Sequence, residues 1–180
     1  MDGNTLTNKV IDVYPLLCTG CVECEMICSL VHSGKVKPQE SRIKVMKIDE
    51  EGINVPVLCQ QCEDAPCAKA CPVQAVSRTE ENGAMAINYD KCIGCRACML
   101  VCPFGALSFS ETERKVVKCD LCTSIGRDPQ CVKYCRARPE MTSRFISNPK
   151  SMSAIQYLDR EKASYAKRYM HVGRTKEDLR

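Results

Sequence analysis

The feature that most constrains this chain is a run of four cysteines near its middle, in the stretch Cys92-Ile-Gly-Cys-Arg-Ala-Cys-Met-Leu-Val-Cys-Pro103. The first three cysteines recur at every third residue, the fourth follows four residues later, and a proline comes next. Zinc sites normally use separated Cys-x-x-Cys pairs, whereas an overlapping triplet of this kind is typical of a [4Fe–4S] cluster. The spacing therefore predicts that three thiolates hold one cluster and that the fourth reaches a second cluster.

Three more groups repeat this pattern with variations. The first, from Cys18 to Cys28, has the same spacing but is followed by Ser29 in place of proline. The second group widens the gap between its second and third cysteines, and the last group has a longer gap that contains Gly126 and Pro129. The 16 cysteines thus divide into four groups of four with no thiol left over, which predicts four [4Fe–4S] clusters.

Composition and charge narrow the class of protein. The chain of 180 residues starts without a basic and apolar leader and has no stretch of about 20 apolar residues, so we expect a cytoplasmic protein without a membrane anchor. In a reducing compartment, clustered cysteines are metal ligands rather than disulfides. The formal net charge is +4, but four clusters at about −2 each would make the loaded protein negative, which argues against nucleic-acid binding.

The expected ligand sets follow from two-cluster ferredoxins, in which the fourth cysteine of each motif binds the other motif's cluster. For the middle motifs this predicts cluster 2 on Cys59, Cys62, Cys67 and Cys102, and cluster 3 on Cys92, Cys95, Cys98 and Cys71. The outer motifs then give cluster 1 on Cys18, Cys21, Cys24 and Cys135, and cluster 4 on Cys119, Cys122, Cys131 and Cys28. One alternative closes each motif on its own cluster. Another places zinc at Cys119, Cys122 and Cys131, because the last motif resembles two separated zinc-binding pairs.

The expected fold class is α+β, with two intertwined bacterial-ferredoxin-like lobes of short hairpins and short helices around four cubane clusters. Lobe A comes from the motifs in 59–102, and lobe B combines the motifs 18–28 and 119–135. Both belong to a domain over residues 1–140, and residues 141–180 are expected to form an extension, helical within 150–170, that docks on a partner subunit. Strand-like segments at 42–48 and 53–58, and on either side of Asn82-Gly83, predict hairpins that lead into the next cysteine motif.

Few side chains outside the motifs indicate chemistry. His32 and His171 are expected at the surface, because the thiols already complete the ligand sets. The basic residues near the motifs are expected to be solvated and to balance the cluster charge, or else to form a docking surface for an acidic partner; they are Arg96, Lys118, Lys133, Arg136 and Arg138. The sequence contains no nucleophile–base pair and no dinucleotide fingerprint, so no catalytic residue is predicted.

Four segments combine into a more specific pattern: Cys18-Thr-Gly-Cys-Val-Glu-Cys24, Cys59-Gln-Gln-Cys62, Cys92-Ile-Gly-Cys-Arg-Ala-Cys98 and Lys118-Cys-Asp-Leu-Cys122. Over about residues 8–140 the chain resembles the four-cluster ferredoxin-type electron-transfer subunits of molybdenum and tungsten oxidoreductases, certain hydrogenases and carbon monoxide dehydrogenases. The segment Cys28-Ser-Leu-Val-His-Ser-Gly-Lys-Val-Lys-Pro-Gln-Glu-Ser-Arg-Ile43 is similar to the small subunits of tungsten aldehyde oxidoreductase-type enzymes. That group includes the tungsten-dependent (class II) benzoyl-CoA reductase.

This resemblance implies an electron-transfer subunit that is not an enzyme on its own and that works in a hetero-oligomer. The implied partners are a large catalytic subunit with a tungsten–pterin site and a ferredoxin or flavin-containing subunit. A hydrogenase, a formate dehydrogenase or a carbon monoxide dehydrogenase is the alternative catalytic partner. A zinc-stabilised interaction or nucleic-acid-binding module is the rival interpretation from a different class.

Overall fold

The computed structural model describes residues 9–50, 52–135 and 154–160. Within these ranges the chain forms four antiparallel pairs of short strands, four α-helices and three short 3-10 helices. The strand pairs are β1 (Lys9–Val13) with β8 (Ile155–Asp159), β2 (Lys44–Ile48) with β3 (Ile53–Val57), β4 (Val76–Arg78) with β5 (Met85–Ile87), and β6 (Leu107–Ser110) with β7 (Lys115–Lys118). The helices are α1 (Glu23–Ser33), α2 (Pro66–Lys69), α3 (Ala97–Leu100) and α4 (Gln130–Tyr134). This is the predicted α+β, ferredoxin-like arrangement of hairpins and short helices.

Each of the last three cysteine motifs begins where a hairpin ends. The hairpins β2–β3, β4–β5 and β6–β7 lead directly into the motifs that start at Cys59, Cys92 and Cys119. Pro56 lies in β3 opposite Val45, and because this sheet has only two strands, the missing N–H of the proline breaks no inner ladder. The predicted hairpins are therefore confirmed, and they bring each cysteine motif out of a strand in the same way.

Helix length depends on the residue that follows the fourth cysteine. Pro72 and Pro103 follow Cys71 and Cys102, and proline disfavours the helical conformation in the residue before it, so α2 and α3 stop after four residues each. Ser29 takes the place of proline after Cys28, and α1 continues for eleven residues. It ends at Gly34, whose left-handed backbone (φ +72°) lets its N–H donate to the carbonyl of Leu30 at 2.9 Å.

Residues 154–160 are the described part of the helix predicted over 150–170, and there the prediction is wrong. Residues 155–159 form β8, which pairs with β1 from Lys9↔Asp159 to Val13↔Ile155. The spacing of Ile155 and Leu158 fits a helix, but β1 is an apolar strand without a neighbour in its own part of the chain, and β8 satisfies its backbone groups. The rest of the proposed helix, residues 150–153 and 161–170, lies outside the described residues. The division into 1–140 and 141–180 stays a prediction.

Cysteines contribute many of the buried side chains of the core. The larger core cluster combines Ile11, Ile43, Leu58, Leu121 and Ile155 with buried cysteines from the first, second and fourth motifs. A smaller cluster packs Ala65, Val76 and Met85 around Cys67. The apolar side chains of both core clusters therefore pack directly against the candidate metal ligands.

Candidate iron–sulfur centres

The structure brings the cysteines together in four quartets, which we number after the predicted clusters. Quartet 1 lines a cavity beside Ile155, quartet 2 lines a cavity closed by Met85 and Phe104, and quartet 3 lines a cavity beside Ile87. Quartet 4 is the quartet whose cysteines are all buried. The members are Cys18, Cys21, Cys24 and Cys135 (quartet 1), Cys59, Cys62, Cys67 and Cys102 (quartet 2), Cys71, Cys92, Cys95 and Cys98 (quartet 3), and Cys28, Cys119, Cys122 and Cys131 (quartet 4).

Every quartet therefore includes one cysteine from another motif. Cys28 does not line the cavity of quartet 1, although it belongs to the same motif as Cys24. It lies instead near Cys131, whose pKa is raised well above its ordinary value by burial and then by the thiols of Cys119 and Cys28. This arrangement is the one that ligand exchange between motifs requires, whereas closing each motif on itself would need Cys28 in place of Cys135 in the cavity of quartet 1. Ligation by these sixteen thiols stays a prediction.

The four motifs share one unusual backbone conformation. The residue before the second cysteine is left-handed in each motif, with φ values of +69° at Gly20, +52° at Gln61, +69° at Gly94 and +57° at Leu121. Glycine adopts this conformation freely, but a side chain there costs about 1–2 kcal/mol. The strain at Gln61 and Leu121 indicates that the turn is needed to aim two successive thiols at a common point. The internal repeat in the sequence is thus a repeat of backbone geometry as well.

Backbone N–H groups donate to several of the thiol sulfurs. The N–H of Arg42 lies 3.4 Å from Cys28 Sγ, that of Gln61 lies 3.4 Å from Cys59 Sγ, and that of Ala75 lies 3.2 Å from Cys71 Sγ. Desolvation tends to raise the pKa of the Cys71 thiol, but the backbone N–H groups that follow Cys71 outweigh this effect and lower that pKa. Hydrogen bonds of this kind stabilise negative charge on sulfur, and in iron–sulfur proteins they help to set the reduction potential.

The buried thiols need a cationic partner to be ionised. Burial, together with the charges of neighbouring thiols, raises the pKa of Cys24 to about 12 and that of Cys122 to about 11. A bound metal reverses this effect, because it holds each ligand as a thiolate and releases the proton. Four converging sulfurs match the ligand set of an iron–sulfur cluster, so the residues present fit such a cofactor.

Four thiolates are also a ligand set that zinc accepts, so the quartets alone do not distinguish zinc from iron. In the part of the chain that the structure describes, no group of three or more His, Cys, Asp or Glu side chains is placed to hold a single metal ion. Zinc at Cys119, Cys122 and Cys131 stays an alternative prediction.

Neighbouring quartets meet at three pairs of thiols. The pKa of Cys131 is raised by burial, by the other thiols of quartet 4 and then by Cys24 of quartet 1. The pKa of Cys119 is raised by burial and then by Cys59 of quartet 2, and that of Cys98 by burial and then by Cys67 of quartet 2. These pairs link the quartets in the order 1, 4, 2, 3. The packing agrees with this order: Cys24 and Cys59 share a core cluster with buried thiols of quartet 4, and Cys67 packs with Cys98. The sites thus form a row with quartets 1 and 3 at its ends.

The expectation that His32 lies at the surface is wrong. Its side chain is only 6% exposed, and its Nε2 lies 3.8 Å from Cys122 Sγ and 3.9 Å from Asp120 Oδ1. Burial, and then the charge of Arg42, lowers the pKa of His32 to about 4. The sequence contained a signal for this placement, since His32 follows Cys28 by four residues and so lies on the same face of a continued α1. The other predicted surface histidine, His171, lies outside the described residues.

Sequence reasoning also missed a buried ion pair beside quartet 4. Arg42 Nη1 donates to Asp120 Oδ1 at 2.8 Å, and both side chains are largely buried. Desolvation tends to raise the pKa of the Asp120 carboxyl, but the charge of Arg42 outweighs this effect and holds that pKa below its usual value. Asp120 also accepts hydrogen bonds from the N–H groups of Cys122 and Ser124, each at 3.1 Å. The pair therefore fixes the loop that carries two thiols of quartet 4.

The basic residues near the motifs have different environments. Arg96 lies over the ring of Phe109, 3.7 Å from its centroid, and Lys133 is exposed. Lys118 is only 2% exposed, so the expectation that it is solvated is wrong. Its position at the end of a hairpin strand, directly before Cys119, takes it into the interior between two quartets. Arg136 and Arg138 lie outside the described residues.

The fold and the cysteine quartets define an iron–sulfur electron-transfer protein of the ferredoxin type. The chain belongs to the 4Fe-4S dicluster domain family, whose model matches residues 51–144. None of the helices in the described ranges has the length and apolar character needed to span a bilayer.

Two relatives of this chain are themselves parts of larger enzymes. The polyferredoxin-like subunit of an aliphatic sulfonate oxidoreductase from Pyrococcus furiosus is 46% identical over 123 residues, which cover 68% of this chain and 69% of the relative. Hydrogenase-4 component A from Escherichia coli is 31% identical, with 88% of this chain and 92% of the relative covered. A solved structure of the BamBC active-site complex of benzoyl coenzyme A reductase contains a chain with 25% identity and a TM-score of 0.46, over 83% of this chain and 77% of that one. The protein is thus an electron-transfer subunit of the kind that serves oxidoreductase complexes.

Proposed function

We propose that the chain holds four [4Fe–4S] clusters, one on each quartet, and relays single electrons between a catalytic subunit and an external redox partner. The observation that carries this proposal is the row of four quartets, each completed by a cysteine from another motif. A fully ligated cube has no open position for a substrate, and its chemistry is to take up and release one electron. The order of the quartets gives the path 1, 4, 2, 3.

The ends of this row differ from its middle in exposure. All four cysteines of quartet 4 are buried, whereas Cys95 of quartet 3 is exposed. Exposed apolar side chains occur near both ends: Met46 and Ile48 on the hairpin beside quartet 1, and Ile93 and Leu100 in the motif of quartet 3. Exposed apolar residues beside a site of electron exchange suit contact with a partner protein. We therefore assign partner binding to the two ends and insulation to the middle.

The proposed catalytic partner is a tungsten–pterin subunit of the aldehyde oxidoreductase or benzoyl-CoA reductase type, with a ferredoxin or flavin-containing subunit at the other end. This choice is supported by the resemblance of residues 28–43 to the small subunits of such enzymes. It is also compatible with a relative that is the polyferredoxin-like subunit of an oxidoreductase. Residues 141–180 are proposed to dock on the large subunit, and the pairing of β8 with β1 would anchor that extension to the core. A cytoplasmic location remains part of this proposal.

A hydrogenase is the second candidate partner, because a hydrogenase component matches more of the chain than the sulfonate oxidoreductase subunit does, 88% against 68%. The two candidates differ in the metal of the large subunit. The chain should therefore be purified anaerobically from its source, and the co-purifying subunit analysed for tungsten, molybdenum and nickel. Tungsten in that subunit supports the first partner, and nickel supports the second.

The number of clusters is tested on the same preparation. Four cubes require about sixteen irons and as many sulfides per chain, with visible charge-transfer absorption that bleaches on reduction. A colourless protein with zinc in place of iron would refute the electron-transfer role. A fully loaded protein with far fewer irons would refute the number of clusters. Purification as a lone chain, with no large subunit, would contradict the role as a subunit.

A further inference from the structure

Lys118 is a buried cation without a carboxylate partner in the described part of the chain. It is the last residue of β7, its side chain is 2% exposed, and its Nζ donates to the carbonyl oxygens of Met85 and Cys119. Carbonyl groups satisfy its N–H donors but do not neutralise its charge. An uncompensated buried charge is strongly destabilising, so such a residue persists only where an opposite charge lies nearby.

Two candidate clusters lie on either side of this ammonium group. Met85 closes the cavity of quartet 2, and Cys119 is a member of quartet 4. An oxidised cube with four thiolates carries about −2 and becomes more negative on reduction. Quartets 2 and 4 are also the pair where the row passes from one predicted lobe to the other.

We propose that Lys118 is the buried counter-charge between quartets 2 and 4, and that it raises the reduction potentials of these two clusters relative to the clusters at the ends. The proposal rests on the proposed function, since it needs all four clusters. A fixed cation stabilises the more negative, reduced state of a nearby cluster, and a dry interior screens that effect little. By raising both reduction potentials, Lys118 would make the reduced states of these two clusters more accessible at the point where electrons pass from one lobe into the other.

Lys115 provides a matched control on the same strand. It is three residues earlier in β7, but it is partly exposed, pairs with Glu113 at 3.1 Å and lies over the ring of Tyr89. Water and the carboxylate screen its charge. Lys115→Met and Lys118→Met therefore remove the same charge from the same strand, and only the second removes it from the interior.

The experiment is a potentiometric titration of the loaded chain, followed by EPR, on the wild type and on Lys118→Met, Lys118→Arg and Lys115→Met. We expect a downward shift of two of the four midpoint potentials in Lys118→Met, with the other two unchanged. Lys118→Arg, which keeps the charge, should remain close to the wild type, and so should Lys115→Met. Unchanged potentials in Lys118→Met, or an equal shift of all four, would overturn the proposal. A count of four clusters in the wild type separates this failure from a failure of the proposed function.

Poor cluster loading of Lys118→Met would also be informative. Lys118→Gln then takes its place, since glutamine keeps a hydrogen-bond donor but carries no charge. Loss of iron in both uncharged variants, together with full loading of Lys118→Arg, would support a requirement for the charge. Loss of iron in Lys118→Arg as well would overturn the proposal, because the shape of the side chain and not its charge would then be decisive.

Discussion

Replacement of Gln61 by alanine should destabilise the loaded protein more than any change of similar size in the same loop. The Gln61 side chain is only 1% exposed and joins three parts of the chain. Its Nε2 donates to the carbonyl of Cys119 at 3.1 Å, and its Oε1 accepts from the N–H of Met85 at 2.7 Å. Gln61 itself belongs to the second cysteine motif, so this one side chain connects quartet 2, quartet 4 and the hairpin β4–β5.

The two lost hydrogen bonds have different costs. The buried N–H of Met85 would lose its side-chain acceptor, which costs about 1–3 kcal/mol. The carbonyl of Cys119 would still accept from Lys118, so the loss there is about 0.5–1.5 kcal/mol. The strain of the left-handed backbone is the same for glutamine and alanine and cancels. We therefore expect a total loss of about 1.5–4.5 kcal/mol.

The neighbouring Gln60 is the control. Its side chain donates to the carbonyl of Leu58, two residues away, and connects no distant segments. Gln60→Ala should cost about 0.5–1.5 kcal/mol. The assay is the rate at which visible absorption is lost in a fixed concentration of guanidinium under anaerobic conditions, after iron analysis has shown equal loading. If the activation free energy of unfolding falls by about 2 kcal/mol, the rate of bleaching rises about 30-fold. The rate for Gln60→Ala should stay within about tenfold of the wild-type rate. The reasoning fails if Gln61→Ala bleaches no faster than Gln60→Ala.

Three further predictions concern the quartets and the ends of their row. Gly20→Ala should reduce the occupancy of quartet 1 as measured by iron content, because the new Cβ would lie 2.5 Å from Asn54 Oδ1; Gly94→Ala, at the equivalent left-handed position but in open space, should retain its iron, and equal losses would contradict the explanation. Burial raises the pKa of Cys24 to about 12 and that of Cys122 to about 11, so each metal-free thiol must lose a proton to bind iron; apparent iron affinity in anaerobic reconstitution should therefore rise with pH and protons should be released, and uptake that is independent of pH would be inconsistent with this. Leu100 is 87% exposed beside quartet 3, so Leu100→Lys should slow electron exchange with the partner at that end while iron content stays unchanged; a normal rate would remove this surface from the proposed interface.

Cysteine spacing predicted the parts of this molecule that depend on local sequence. The triplets, the prolines after Cys71 and Cys102, and the Asn82-Gly83 turn determine backbone direction over a few residues, and the hairpins and short helices follow from them. The row order of the quartets could not be predicted in this way. It depends on which thiols of different motifs pack together, and only the folded chain brings Cys24 near Cys131 or Cys59 near Cys119.

The errors all concern residues whose environment is set by distant parts of the chain. Residues 155–159 have a spacing that fits a helix, but β1, about 145 residues earlier, makes them a strand. His32 and Lys118 are polar and were expected in water, yet α1 and β7 carry them into the interior. Composition gives no indication of such burial, because it reflects the average environment of a residue type and not the packing of a particular side chain.

The pairing of β1 with β8 and the completion of quartet 1 by Cys135 have a consequence for biogenesis. The cysteines of quartets 2 and 3 all lie between residues 59 and 102, so they can meet as soon as that segment has left the ribosome. Cys18, Cys21 and Cys24 must wait for Cys135, and at about 5–20 residues per second that delay is roughly 6–22 s. Throughout this interval Cys18, Cys21 and Cys24 of the nascent chain lack Cys135. During that time these thiols are most exposed to oxidation and to binding of the wrong metal.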